Sequence, residues 1–416
     1  MNSLLSNYND NNVKRINPLA ILLTALTVVL LVFACRTLPK VPVEVPVFAP
    51  EGIVPPEAIA LPEISVLNLT FAGDIMAHTV NYAMPDYNRI YEALRPILLS
   101  DDLSFANLEA PVAANLPLST YPRFNVHLSY VLSAIQGGFD VFSLANNHAN
   151  DQGSAGIAGT LASLETIVPS VYYSGLRKKS ASPMEPVVIK KNGWTVLFLS
   201  VTEILNSYDA SGKLVYYVPP TEKGRSVFLS ELTALKKANP NDVFILSIHL
   251  NEPEYVRSVN SSKRKWFSQL SSAGVDIIWG HHPHVMQEWG LQMVSDEFIN
   301  RPVLNMFSMG NFISGQRYSP EKENPAGLRE YTGDAVLLQV QLSRSGKTGY
   351  DKMSVSPVLV TNYAEPGQGV VVRLFDDAFA SSIPPRWRDY YQKRSDYMHA
   401  YLPLLPSSAI ASILEE

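Results

Sequence analysis

From Val66 to Leu342 the chain alternates short apolar runs with longer mixed stretches. The runs VLNLTFAG (66–73), LSFANLE (103–109), VFSLAN (141–146), TVLFLSV (195–201), VFILSIH (243–249), VDIIWG (275–280), VLNMFSMGN (303–311) and AVLLQVQL (335–342) have strand length and strand composition. Between several of them lie the helix-like segments NRIYEALRPILL, VLSAIQGG and KRKWFSQLSSAG. This alternation predicts an α/β domain of mostly parallel strands, in which functional residues collect at the C-terminal strand ends.

The two ends of the chain follow other patterns. Residues 1–15 are polar and close on Lys14 and Arg15, and the apolar run INPLAILLTALTVVLLVFAC follows. About 20 such residues cross a bilayer as a helix, and the preceding basic pair orients the remainder outward. Cys35 ends the run, so the segment is either an uncleaved anchor or a lipoprotein signal with Cys35 as the lipidated terminus. Both place the protein at the cell membrane, facing outside or the periplasm. Residues 36–65 carry a proline every few positions and read as an extended spacer. The expected organisation is therefore 1–35 anchor or signal, 36–65 linker, 66–366 globular domain and 367–416 helical tail.

Composition narrows the chemistry. A formal net charge of −5 and a pI near 5.9 argue against a nucleic-acid surface. A single cysteine excludes an intrachain disulfide and a thiolate metal cluster, so any metal must be held by nitrogen and oxygen. Six of the eight histidines (His78, His148, His249, His281, His282 and His284) follow strand-like runs. Three of them crowd into GHHPHV (280–285), where only a bound cation would readily accommodate so many neutral imidazoles.

Each strand end offers donors. FAGDIMAH places Asp74 at a strand terminus with His78 four residues on; Asp74 is a metal or phosphate ligand, or a helix cap. In FANLEAP, Asn107 and Glu109 share one side of an extended segment, although Glu109 also reads as an ordinary solvated carboxylate. LANNHANDQG brings Asn146, Asn147 and His148 into a turn with Asp151 and Gly153. SIHLNEPEY supplies His249. SMGNF puts Gly310 and Asn311 at a strand end, either as a glycine turn or as backbone donors for an anion. A mixed oxygen and nitrogen set of this kind suits Mn, Fe or Zn, as a pair. Such a pair would activate water and orient an ester for displacement at phosphorus.

The ordered series GD, NLE, NNHANDQG, His249, GHHPHV and SMGNF resembles the CapA family of bacterial capsule-synthesis proteins linked to poly-γ-glutamate, over roughly Val66 to Pro366. The resemblance implies the calcineurin-like metallophosphoesterase fold, a four-layer αββα sandwich, here preceded by an N-terminal membrane segment. It implies two divalent ions. Asp74 and His284 would serve the first, Glu109 would bridge, and Asn147, His249 and His281 or His282 would serve the second. His282 is preferred because it keeps a His-x-His spacing with His284. His148, next to Asn147, would act on the leaving group. His78, His281, Asn146 and Asn311 are further candidates. Met76 stands where the superfamily has the histidine of Asp-x-His, which weakens the first metal position. Leu250 and Asn251 replace the usual Trp-Gly after His249.

The implied activity is that of a metal-dependent phosphoesterase-like hydrolase acting on capsule polymer or a phosphorylated envelope substrate. Two other functions compete with it: a non-catalytic assembly or polymer-binding subunit beside a membrane synthase, and amide chemistry on the polymer itself.

Overall fold

The computed structural model describes residues 64–295 and 300–400. The anchor or signal, Cys35, nearly all of the linker and the last sixteen residues lie outside the described residues. Among the described residues no helix is long and apolar enough to cross a membrane.

Two sheets form the centre of an α/β sandwich. The first contains β1 (Ser65–Ile75), β2 (Leu103–Leu108), β3 (Val141–Ser143), β4 (Tyr172–Ser174), β11 (Asn311–Ile313), β12 (Asp334–Arg344), β13 (Lys352–Glu365) and β14 (Gly369–Leu374), in the order β14-β13-β12-β1-β2-β3-β4 with β11 also on β1. The second contains β5 (Val187–Lys191), β6 (Trp194–Thr202), β7 (Val243–His249), β8 (Ile277–His281), β9 (Trp289–Ser295) and β10 (Asn300–Met306), in the order β5-β6-β7-β8-β10-β9. Pairing is parallel through β1-β2-β3-β4 and β6-β7-β8-β10. It is antiparallel at the flanks.

Alternation along each strand builds the layers. Leu67, Leu69 and Phe71 of β1 point inward and meet Phe198, Ile245, Ile277 and Trp279 of the second sheet. Phe71 stacks on Phe105 with ring centroids 4.6 Å apart, and Trp279 meets Phe71 edge-on. Truncating Phe105 to alanine here would cost about 3–5 kcal/mol. The opposite face of the first sheet packs on α1 (Leu128–Gly137) through Tyr130, Val131 and Ala134. The opposite face of the second packs on α3 (Glu222–Ala238) and α4 (Ser261–Ser272), with α2 (Gly153–Glu165) contributing Ile157 and Leu161 to the same cluster. In α4, Trp266, Phe267 and Leu270 form the buried stripe, and Asn260 caps the start by accepting from Lys263 N at 2.8 Å.

Several elements differ from expectation. The run 303–311 is not one strand: β10 stops at Met306, and β11 restarts at Asn311 in the other sheet. Gly310 (φ +77°) makes the crossing, and it passes so close to β1 that a Cβ on Gly73 would lie 1.8 Å from Gly310 O. Residues 88–99 give two short 3₁₀ turns and a single helical turn, Arg95–Leu98, instead of one helix. Residues 369–374, assigned to the helical tail, form β14. The tail's helices α5 (Asp377–Ser382) and α6 (Arg388–His399) follow, with Phe379, Tyr390 and Tyr391 in a shared apolar cluster against Tyr363 and Phe375.

Candidate metal centre

The parallel strands of both sheets end at one edge, and the polar residues there are almost fully buried. Register does the positioning: Asp74 of β1 pairs with Asn107 of β2 and with Asn311 of β11, and His249 of β7 pairs with His281 of β8. Glu109 follows β2, with its N–H donating to Ile75 O at 3.0 Å. Deeper along the strands, hydroxyls link the sheets, Ser143 to Ser200 at 2.7 Å and Ser247 to Ser143 at 2.8 Å.

Glu109 occupies the middle. Its Oε1 lies 3.7 Å from His249 Nε2 and 3.7 Å from His284 Nε2, and has no hydrogen-bond partner. Oε2 accepts from Asn107 Nδ2 at 3.0 Å, and the same amide donates to Asp74 Oδ1 at 2.8 Å. On one side, His281 Nδ1 is 3.0 Å from Asp74 Oδ1, and His284 Nδ1 is 3.1 Å from Asp74 Oδ2 and 3.0 Å from Asn311 Oδ1. On the other side, His249 Nε2 and His282 Nδ1 face each other at 3.1 Å. Asn147 Oδ1 is buried without a partner.

The electrostatics match this division. Burial pushes the His249 imidazole well below its ordinary range and His282 to about 3, with neighbouring imidazoles adding to both shifts. Both rings are therefore neutral, the form that ligates. Burial also acts against charge on His284, but the carboxylates of Glu109 and Asp74 outweigh it and raise the ring to about 9. Burial would raise the Asp74 carboxyl, yet hydrogen bonds from His281 and His284 hold it well below the carboxylate range. Burial and the Asp74 charge push Glu109 well above it.

A cation fits this donor set. Asp74, Glu109 and His284 offer donor atoms within 4.8 Å of one another. Glu109 Oε1, 3.7 Å from the neutral His249 ring, and Asn147 Oδ1 are buried, unpartnered oxygen donors that a cation would satisfy.

His148 stands at the side of Asn147. Its Nδ1 lies 2.7 Å from Asp151 Oδ2 and 3.0 Å from Asn206 Nδ2, and its ring packs edge-on against Phe124 at 4.7 Å. Asp151 is itself fixed by the Phe124 N–H at 2.7 Å and, through its carbonyl, by Arg123 Nε at 2.6 Å. Asn206 Oδ1 also accepts from Asn147 Nδ2 at 3.3 Å, so one amide touches both neighbours of the turn.

The remaining candidates take supporting positions. His281 sits behind Asp74, and its Nε2 is buried without a partner. Asn146 Nδ2 ties the turn to Leu108 O at 2.9 Å. His78 accepts from Gly315 N at 3.0 Å and packs edge-on against Phe124, and burial lowers it to about 4. Met76 is buried in the apolar cluster outside the first sheet. Asn206, Tyr255 and Gln316 were not named from sequence, and Asp151 was named only as part of the turn. Asp151 had a signal, an i,i+3 spacing from His148 within one turn; the other three lie on aperiodic loops.

Fold and site together define a class: an α/β sandwich with a buried carboxylate, amide and imidazole cluster that could hold a metal ion. The bacterial capsule synthesis protein PGA_cap family matches residues 68–316, and the chain belongs to that family of CapA-type capsule and poly-γ-glutamate biosynthesis proteins. It is 28% identical over 304 residues to the PGA biosynthesis protein CapA of Bacillus subtilis (strain 168), covering 70% of this chain and 71% of that one. It is 27% identical over 296 residues to the capsule biosynthesis protein CapA of Bacillus anthracis, covering 67% of each. A solved structure of a hypothetical protein from Thermus thermophilus aligns with a TM-score of 0.40 at 18% identity, over 70% of this chain and 98% of that chain.

Proposed function

We propose that this chain is a metal-dependent phosphoesterase-like hydrolase of the calcineurin-like type, tethered outside the cytoplasmic membrane and acting in capsule or poly-γ-glutamate synthesis or export. The observation that carries this reading is Glu109 Oε1, buried, unpartnered and 3.7 Å from an imidazole nitrogen on either side. An oxygen so placed would be available to a cation on either side. Asp74, Glu109 and His284 would hold one ion, and Glu109, Asn147, His249 and His282 the other. When bound, such ions supply Lewis acidity toward a phosphoryl oxygen and a lowered pKa for water.

The protein's own groups supply the rest. With Nδ1 directed at Asp151, His148 keeps Nε2 for a proton shared with the leaving-group oxygen. Asn206 holds Asn147 in place, its N–H donating to the Asn147 carbonyl at 2.9 Å and its Oδ1 accepting from Asn147 Nδ2 at 3.3 Å. The apolar walls beside them, Phe124 among these, exclude bulk water and strengthen each electrostatic contact. The tether rests on the apolar run ending at Cys35, and the envelope substrate on the family.

The test is elemental analysis of the purified full-length chain after reconstitution with Mn or Zn, paired with hydrolysis of a generic phosphoester. Two equivalents of ion and activity lost in His148→Ala are expected. Less than one equivalent sinks the hydrolase reading and leaves the non-catalytic assembly subunit.

A further inference from the structure

Among the described residues, four non-glycine positions have a positive φ: Asn192 (49°), Tyr255 (64°), His282 (100°) and His284 (57°). Asn192 precedes Gly193 in the tight turn between β5 and β6, where such a conformation is required. The other three meet in one place. Tyr255 N donates to Pro283 O at 2.9 Å, and Pro283 is the residue between the two strained histidines. A bulky side chain in the left-handed region persists only where its surroundings hold it there.

The tyrosine's side chain reaches the same histidine loop by a second route. Gln316 Nε2 lies 3.4 Å from Tyr255 Oη. Gln316 Oε1 accepts from Asn311 Nδ2 at 2.7 Å, and Asn311 Oδ1 lies 3.0 Å from His284 Nδ1. Burial and the adjacent Glu254 carboxylate push the phenol up, so it stays a neutral hydroxyl. Tyr255 is half-buried at the rim, whereas Gln316 and Asn311 carry the connection inward.

We propose that Tyr255 is a positioning residue that latches the His282-Pro283-His284 loop, through its main chain at Pro283 and through Gln316 and Asn311 at His284. The latch sets the direction of the His284 ring, and so the affinity of the cation position that ring serves. The cation part of this inference rests on the proposed function, and the geometric part does not.

The test uses the full-length chain labelled with ¹⁵N-histidine, first without cation and then titrated with cobalt. In the wild type the His284 Nδ1–H should give one sharp, slowly exchanging signal. Tyr255→Phe, which deletes a single oxygen, and Tyr255→Gly, which tolerates the backbone angle but lacks the ring, should each speed its solvent exchange several-fold. His148, held separately by Asp151, should keep its signals in both. Cobalt affinity should fall by about tenfold, as is usual when an outer-shell partner of a ligand is removed. Unchanged exchange together with less than a twofold change in cobalt affinity in both variants overturns the latch. If the wild type takes up no cobalt, the hydrolase reading fails and the latch is judged on the His284 exchange alone.

Discussion

Asp151 Oδ2 lies 2.7 Å from His148 Nδ1, and that contact decides which ring nitrogen is free for chemistry. A carboxylate at Nδ1 fixes the proton there and leaves Nε2 with its lone pair free. Asp151→Asn replaces the acceptor with a group that can donate, favouring the opposite tautomer. Phosphoester hydrolysis should fall by roughly 10²-fold or more, within the range for removing a general acid. Ion content should stay at the wild-type level. An unaltered rate would mean that His148 takes no part in proton transfer.

Glu109 carries the opposite kind of risk, because its unpartnered, buried oxygen costs stability whenever no cation is present. Glu109→Gln keeps the shape and cannot take up the charge that burial and Asp74 already oppose in this carboxyl. Cation-free protein should therefore melt at a higher temperature in the variant than in the wild type, while ion uptake falls below one equivalent. Calorimetry with and without added Mn reads both effects. A variant that melts lower without cation would show that Glu109 serves structure rather than a cation.

The adjacent histidines should separate cleanly. His282 faces His249 across 3.1 Å, whereas His281 faces Asp74 from behind. His282→Ala should abolish one of two bound equivalents. His281→Ala should retain both, with affinity lowered by roughly tenfold as for an orienting partner. Equilibrium dialysis of the two variants checks this, and equal losses would contradict the assignment.

Sequence told these two histidines apart only by spacing, because neighbours in a doubled motif share every local cue. The strand ends themselves were legible: Gly73-Asp74, Asn107-Leu108-Glu109 and His249 each close an apolar run, and parallel register then brings them to one edge. Of the flanking strands, β12 was legible as the run 335–342, but β9 and β13 were not. Strand β13 contains Pro357 and the two serines Ser354 and Ser356, and β9 has a largely exposed face, so neither shows a buried-strand pattern. The crossing at Gly310 was hidden for a different reason. Nothing local marks that Gly73 must lack a Cβ for the chain to pass. Asn206 and Tyr255 owe their roles to loop geometry, which leaves no periodic trace.

Asp101 provides a pH test remote from the cluster. Burial raises its carboxyl to about 7, with the nearby charges of Asp140 and Asp102 adding to the shift and the Ser104 hydroxyl, which donates to it at 2.6 Å, opposing it. The folded state thus keeps a proton between about pH 4 and pH 7 that the unfolded chain has released. Stability from this residue is fullest below about pH 4, declines as pH rises toward 7 and stays at the lower level above. Asp101→Asn should remove that decline. The difference between wild type and variant should grow by something on the order of 1–3 kcal/mol from pH 4 to pH 8, read by urea denaturation. Parallel pH profiles would rule out the buried, protonated carboxyl.

The last helix among the described residues is tied to the sandwich by charge as well as by aromatic packing. Arg394 of α6 donates through Nε to Asp334 Oδ2 at 2.7 Å and through Nη1 to Pro325 O at 2.6 Å, and Arg317 Nη1 holds the other Asp334 oxygen at 2.6 Å. Both arginines are fully buried. Asp334 begins β12, directly after Thr332 and Gly333, and the Thr332 carbonyl accepts from Asn311 Nδ2 at 3.0 Å. Removing one arginine leaves a buried carboxylate half-compensated, at a cost of about 3 kcal/mol. Arg394→Ala should therefore lower the melting temperature by several degrees and open α6 to limited proteolysis. Because Arg317 still secures Asp334, Asn311 keeps its place against His284, and ion content should hold. A proteolysis pattern identical to the wild type would show that the aromatic cluster alone anchors the helix.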